Sequence, residues 1–377
     1  MKTISIIFGT RPEAIKLCPL IIEMKKDPEI NCKVCSTGQH RQMLDQILEA
    51  FDVKPEIDLQ LMQPNQTLGQ LTSRMIASLD NYLKETHPDI IVVQGDTTTV
   101  LCGALTAFYN GIPIAHVEAG LRTWNMYSPW PEEANRVLTS KLAQWHFAPT
   151  QQNYQNLLLE RIPAKDIYVV GNTVIDALRI AQKRIREFPP EILGLPENNL
   201  NYLKNRKMVL ITGHRRENFG EGFENICYAI KTLSERFPEV EFIYPVHLNP
   251  NVQVPVHSIL APNNLSKSNI HLIEPQAYLP FISLMDRANI ILTDSGGVQE
   301  EAPSLGKPVL VMRNTTERPE AMKAGAAKLV GTVTKDIVDG VSQLLTDVNE
   351  YNKMAHAVNP YGDGKAVERI IKVLKQS

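Results

Sequence analysis

The 377 residues exceed what one hydrophobic core commonly serves, so two domains are expected. Hydrophobic residues at 43% and charged residues at 21% describe an ordinary globular chain. A formal net charge of -2 argues against a nucleic-acid or anionic-membrane partner, and no apolar run approaches the roughly 20 residues of a membrane span.

The opening Met1–Gly9 is too short in its apolar part for a signal peptide and reads as a first strand. Strand-length apolar runs then follow at Cys32–Ser36, Ile90–Gln94, Ile114–Glu118, Trp145–Ala148 and Ile167–Val170. A second series comprises Met208–Thr212, Glu241–Pro245, Ile270–Ile273, Ile290–Thr293, Pro308–Val311 and Lys328–Val330. Amphipathic stretches of helix length separate them, which predicts two open, mostly parallel α/β sheets covered on both faces. The Pro- and Asn-rich segment from Phe188 to Tyr202 interrupts the rhythm and marks a connection between domains or a loop just inside the second. The cysteines, five in number and scattered, fit a reducing cytoplasm. Cys32 and Cys35 form a C-x-x-C, but in a strand they point to opposite faces, so two unrelated strand cysteines are expected.

In such sheets chemistry collects at the C-terminal ends of strands, and the polar motifs fall there. After the first strand, Pro12 and Glu13 suit a helix start, while Arg11 and Lys16 oppose the helix dipole and are either anion contacts or surface charge. In Gln94-Gly-Asp96-Thr-Thr-Thr99, Asp96 or a neighbouring Thr can cap the next helix. Glu118 ends a strand whose alternation places Ile114, His116 and Glu118 on one face, and Arg122 is a candidate ion-pair partner for it. Glu132 and Arg136 stand at i,i+4 at another helix start, an arrangement more often structural than catalytic.

The second series carries the stronger signal. His214-Arg215-Arg216-Glu217-Asn218 crowds one loop after a strand, more densely than folding requires. Asp294-Ser295-Gly296-Gly297 reads as a turn into a helix, whose uncrowded backbone N–H groups seat a phosphate. Glu301, one turn into that helix, stands where a ribose diol would lie. Arg318 suits a second phosphate group. Gln276 and Phe281 can wall a base, although Phe281 taken alone reads as core. The site is therefore expected to take a nucleoside diphosphate.

Taken in order, Gly9-Thr-Arg-Pro-Glu13, Gly38-Gln-His40, Gln94-Gly-Asp-Thr97, His116-Val-Glu-Ala-Gly-Leu-Arg122, Pro131-Glu-Glu133, Gly171-Asn-Thr173, His214-Arg-Arg-Glu-Asn218, Asp294-Ser-Gly-Gly297 and Thr316-Glu-Arg-Pro-Glu320 resemble the non-hydrolysing UDP-N-acetylglucosamine 2-epimerases over nearly the whole chain. The resemblance implies a GT-B fold: two Rossmann-like, doubly wound parallel-sheet domains with a cleft between them. The expected domains are 1–171, completed by a C-terminal helix at 361–377, and 172–360, with a hinge near 171–205 and 358–362. It implies interconversion of UDP-GlcNAc and UDP-ManNAc in the cytoplasm for surface polysaccharide, by a homodimer without NAD, metal or other cofactor. By the same resemblance Asp96, Glu118, Glu132 and His214 are catalytic. Arg11, Lys16, Gln276, Phe281, Ser295, Gly296, Gly297, Glu301 and Arg318 bind UDP. Gln39, Gln42, Arg74, Arg215, Glu217 and His247 would hold a second UDP-GlcNAc as allosteric activator. Competing expectations are a hydrolysing epimerase, an epimerase of a related UDP-2,3-diacetamido sugar, a GT-B glycosyltransferase and a non-catalytic sugar-nucleotide sensor.

Overall fold

The computed structural model describes residues 1–38, 41–203, 205–261, 268–316 and 318–376, with the side chains of Arg41 and Gln42 outside that description. The chain divides into two compact units, Met1–Ile180 with Tyr361–Ser377, and Ala181–Pro360.

The first unit alternates β1 (Lys2–Phe8), α1 (Arg11–Lys26), β2 (Ile30–Ser36), α2 (Arg41–Phe51), β3 (Ile57–Asp58), α3 (Leu68–Thr86), β4 (Ile90–Gln94), α4 (Thr98–Tyr109) and β5 (Ile114–Val117). It continues with α5 (Glu132–Leu142), β6 (Trp145–Ala148), α6 (Gln151–Leu159), β7 (Ile167–Val169) and α7 (Thr173–Glu187), the last running across the division between units. Its seven strands lie in the order β3-β2-β1-β4-β5-β6-β7, every pairing parallel. Continuous apolar strands such as Ile90-Ile-Val-Val93 are buried on both faces, as a helix-covered parallel sheet requires.

The second unit holds β8 (Lys207–Thr212), α8 (Glu221–Arg236), β9 (Val240–Pro245), α9 (Pro250–Leu260), β10 (Ile270–Ile273), α10 (Tyr278–Arg287), β11 (Ile290–Thr293) and α11 (Gly296–Glu301). β12 (Val309–Val311), α12 (Pro319–Lys323), β13 (Ala327–Leu329), α13 (Thr334–Thr346) and α14 (Val348–Ala355) follow. Its six parallel strands run β10-β9-β8-β11-β12-β13. The last helix, α15 (Ala366–Gln376), belongs to the first unit. Asp176 accepts from its first backbone N–H groups, Ala366 at 3.3 Å and Val367 at 3.1 Å, and Lys2 Nζ donates to Leu374 O at 2.9 Å near its end.

All twelve expected strands are present, with ends shifted by at most a residue or two; β3, two residues long and exposed, was not expected. Its shortness leaves no periodicity to read. Cys32 and Cys35 are buried, free and pushed up to about 12 by burial, and no metal-binding cluster occurs among the described residues. Gly120 is compulsory: its φ is +93°, and an added Cβ would stand 2.4 Å from Asn153 O.

Toward the β7 side of the first sheet His116 and His146 are register partners on β5 and β6, both buried. Burial lowers each to about 4. A histidine depressed in the folded state binds its proton first in the unfolded chain, so its contribution is complete above about 6.5 and is lost as pH falls toward 4. Each is worth on the order of 3 kcal/mol over that window. Urea titrations at pH 7, 5 and 4 should show His146→Gln losing less stability on acidification than the native chain, whatever its stability at pH 7.

Candidate functional site

Strand order reverses between β1 and β4 in the first sheet and between β8 and β11 in the second. Helices leave neighbouring strands in opposite directions at such a point, opening a crevice at the strand ends where ligands bind.

In the first unit, Glu13 is absorbed by the fold. Its carboxylate accepts from the N–H of Gly9 at 3.1 Å and Thr10 at 2.7 Å and from the Thr97 hydroxyl at 2.7 Å, while burial pushes its pKa up. Arg11 stands exposed at the start of α1. Lys16, one turn further on, reaches Glu118, with its Nζ 2.6 Å from both carboxylate oxygens. Gln94 Nε2 also donates to Glu118, and Asn172 Nδ2 does so at 3.1 Å. Glu118 lies just past β5 at φ +62°, a left-handed backbone that non-glycine residues rarely adopt and that is retained where a site needs it. Arg122, the expected partner of Glu118, instead grips Glu160 at 2.7 Å and Ser140, because the chain turns between residues 118 and 122.

Thr97, not Asp96, caps α4. That leaves the Asp96 carboxylate to Arg136 Nη2 at 2.5 Å, and Asn135 Nδ2 holds the Asp96 carbonyl at 2.8 Å. Burial raises the pKa of Asp96, outweighing the pull of Arg136, and nearby Glu118 raises it further. The i,i+4 pairing of Glu132 with Arg136 does not form: Arg136 turns to Glu133 at 3.0 Å and to Asp96. Glu132, the first residue of α5, keeps a buried Oε2 with no hydrogen-bond partner among the described residues. Three carboxylates, Asp96, Glu118 and Glu132, thus occupy the ends of β4 and β5 and the start of α5 in three different environments.

In the second unit the anchor is Asp294, fully buried after β11. Its Oδ2 accepts from the backbone N–H of His214 and of Arg215, each at 2.8 Å, and its Oδ1 lies 3.5 Å from His214 Nδ1. The His214 ring stacks on His247 with centroids 5.4 Å apart. Ser295 is the N-cap of α11, and Gly296 and Gly297 form its first turn rather than a turn before it. An added Cβ at Gly296 would stand 3.3 Å from the guanidinium carbon of Arg318, so the glycine lets that cation lie against the helix start. Glu300, buried in the next turn, holds Arg318 Nε at 2.8 Å. Backbone N–H groups at a helix start and a braced guanidinium together suit an anion. Glu301 is buried in α11.

The remaining candidates are more dispersed. Gln276 spends its amide N–H groups on the carbonyls of Leu193 and Glu274, and Phe281 is partly buried in α10. Glu217 pairs with buried Arg313 at 2.5 Å, Arg215 has a buried Nε with no partner among the described residues, and His247 accepts from Asn249 N. Arg74 lies on α3 against Gln66 and the Leu61 carbonyl. Gln39 and the side chain of Gln42 lie outside the described residues. Sequence reasoning assigned no role to Gln94, Asn172, Glu133, Asp294 or Glu300, although each stands inside a quoted motif or next to one, and it gave Arg136 only Glu132 as a partner. Their positions were readable, but their partners, up to 80 residues away in sequence, were not.

The family model described as UDP-N-acetylglucosamine 2-epimerase matches residues 22–375. The UDP-N-acetylglucosamine 2-epimerase of Yersinia pestis is 54% identical over 375 residues, covering 100% of this chain and 98% of that protein. That of Escherichia coli strain K12 is 52% identical over 377 residues, covering 100% and 99%. The crystal structure of UDP-GlcNAc 2-epimerase from Neisseria meningitidis bound to UDP-GlcNAc matches with TM-score 0.86 at 50% identity, covering 100% of both chains.

The Lys16–Glu118 bridge is largely shielded, its side chains 16% and 11% exposed. A double-mutant cycle of Lys16→Met with Glu118→Gln in urea denaturation should return a coupling of about 1–3 kcal/mol; additive effects would show the pair to be energetically idle.

Proposed function

We propose, given that this chain belongs to the UDP-N-acetylglucosamine 2-epimerase family, that it inverts C2 of the sugar of UDP-N-acetylglucosamine to give UDP-N-acetylmannosamine, reversibly and without hydrolysis. The fold is of the GT-B type. The observation that carries the reading is the set of three carboxylates at the strand ends of the first unit, each in its own electrostatic setting.

The C2 proton of a 2-acetamido sugar has no adjacent carbonyl to acidify it. Elimination removes that obstacle. The C1–O bond to the diphosphate breaks first, UDP leaving with the electron pair, and the developing oxocarbenium character acidifies C2–H. A carboxylate takes that proton, leaving 2-acetamidoglucal and UDP. A carboxylic acid returns a proton to the opposite face of C2 while a diphosphate oxygen re-adds to C1. These steps need anion-binding groups for the leaving UDP, negative charge near the cationic ring, and acid–base groups for both faces of C2.

The residues supply these by type. Arg318 and the N–H groups at the start of α11 suit the diphosphate, with Arg11 and His214 as further donors. Glu118, held by Lys16, Gln94 and Asn172, suits electrostatic support or proton transfer. Asp96, whose pKa is raised by burial, and Glu132, with an unpartnered oxygen, are suited by position to proton transfer. The left-handed backbone at Glu118 supports a functional reading.

The test is a proton NMR time course of purified protein with UDP-GlcNAc in D2O and no added cofactor. The expected result is UDP-ManNAc carrying deuterium at C2, with slow exchange of the C2 proton in remaining substrate. Free ManNAc with UDP would instead place the chain with hydrolysing enzymes, and no turnover would point to another sugar nucleotide. Asp96→Asn, Glu118→Gln and Glu132→Gln should each lower kcat by about 10²–10⁴-fold with the fold intact by circular dichroism.

A further inference from the structure

Glu133 has no part in the steps above, yet its carboxylate is 1% exposed and accepts from Thr123, Trp124 and Arg136. Its Oε2 lies 3.0 Å from Arg136 Nη1, and the other arm of the same guanidinium lies 2.5 Å from Asp96 Oδ2. The three side chains form an ordered row, Glu133–Arg136–Asp96, with the cation in the middle. The same carboxylate accepts from the backbone N–H of Thr123 at 3.0 Å and of Trp124 at 2.9 Å. Trp124 sits at φ +63°, a conformation that persists where its surroundings impose it.

An unshared guanidinium at this distance would lower the pKa of Asp96 strongly and keep it permanently ionised. A group that must both give and take a proton cannot be held that way. Glu133 engages the far arm of the guanidinium and adds its own negative potential. We propose that Glu133 is a positioning residue that sets the proton affinity of Asp96 through Arg136, while pinning the Thr123–Trp124 backbone. The proposal deepens the epimerase reading and rests on Asp96 being one of its proton-transfer groups. Asp96 is also faced by Glu118 and Lys16, and Arg136 stands near the buried His116. Burial is the largest cause of the raised Asp96 pKa, with Arg136 pulling against it.

The test titrates Asp96 directly. Protein labelled with carbon-13 at aspartate carboxyls is followed by NMR from pH 4 to 9, the Asp96 signal being assigned by its loss in Asp96→Asn. Glu133→Gln keeps the size of the side chain and an oxygen for the loop N–H groups but deletes the charge; the Asp96 midpoint should fall by about one pH unit or more. Arg136→Gln should move it upward, and Glu133→Asp, which keeps the charge, should restore most of the native midpoint. The kcat–pH profile of Glu133→Gln should shift in the same sense as the midpoint. A merely structural Glu133 would lower the melting temperature without these opposed shifts. An unmoved Asp96 midpoint in folded Glu133→Gln overturns the proposal, and that comparison decides alone should Arg136→Gln fail to fold. The titration needs no substrate, so failure of the native chain to epimerise would sink the reaction and leave the Glu133 result standing.

Discussion

Everything functional in this chain depends on one constraint of parallel sheets. Strands that all point the same way deliver their C-terminal ends to a single edge, and the helices that cover the two faces must part where strand order reverses. Here that parting falls between β1 and β4 and between β8 and β11. The first places Lys16, Gln94 and Asp96 together, and the second places His214 beside Asp294 and Ser295. The apolar interiors of these strands serve packing. Their last residues, and the two or three that follow, are free to serve chemistry.

The charges at those ends are held in braced groups. Glu118 is gripped by a lysine and two amides, Asp96 by an arginine shared with Glu133, Arg318 by Glu300, and the His214 loop by Asp294. Bracing of this kind fixes orientation before a ligand arrives, so less reorganisation is left for the reaction. It also separates like groups by environment. Three carboxylates of nearly equal intrinsic acidity come to differ in setting: one clamped by a lysine and two amides, one with its pKa raised by burial, and one with an open oxygen.

Much of this was legible in the sequence, and the boundary of legibility has a physical cause. Strands such as Ile90–Gln94 and Ile290–Thr293 announce themselves because burial on both faces demands unbroken apolar runs. The candidate site residues stood out because charged residues clustered at strand ends are seldom asked for by packing. Pairings were less readable. Glu132 and Arg136 have the spacing of a helix pair, yet the guanidinium goes to Glu133 and Asp96, because Asp96 arrives from another strand and competes for it. Glu118 and Arg122 are near in sequence, but the left-handed residue between strand and turn sends them apart. Gly296 and Gly297 looked alike; the space around them distinguishes the one beneath Arg318 from the one with nothing near it.

The return of α15 to the first unit carries a consequence for how the molecule is made. Ile370 and Leu374 are wholly buried there, and Asp176 waits for the N–H groups of Ala366 and Val367. During synthesis the first unit emerges early and lacks these partners until the entire second unit has followed it. Its apolar seat for the helix must therefore remain uncovered while the whole second unit, Ala181–Pro360, is made, a window in which such surface invites association with other nascent chains. Vectorial synthesis cannot finish the first unit first; the chain's last helix completes the one that began it.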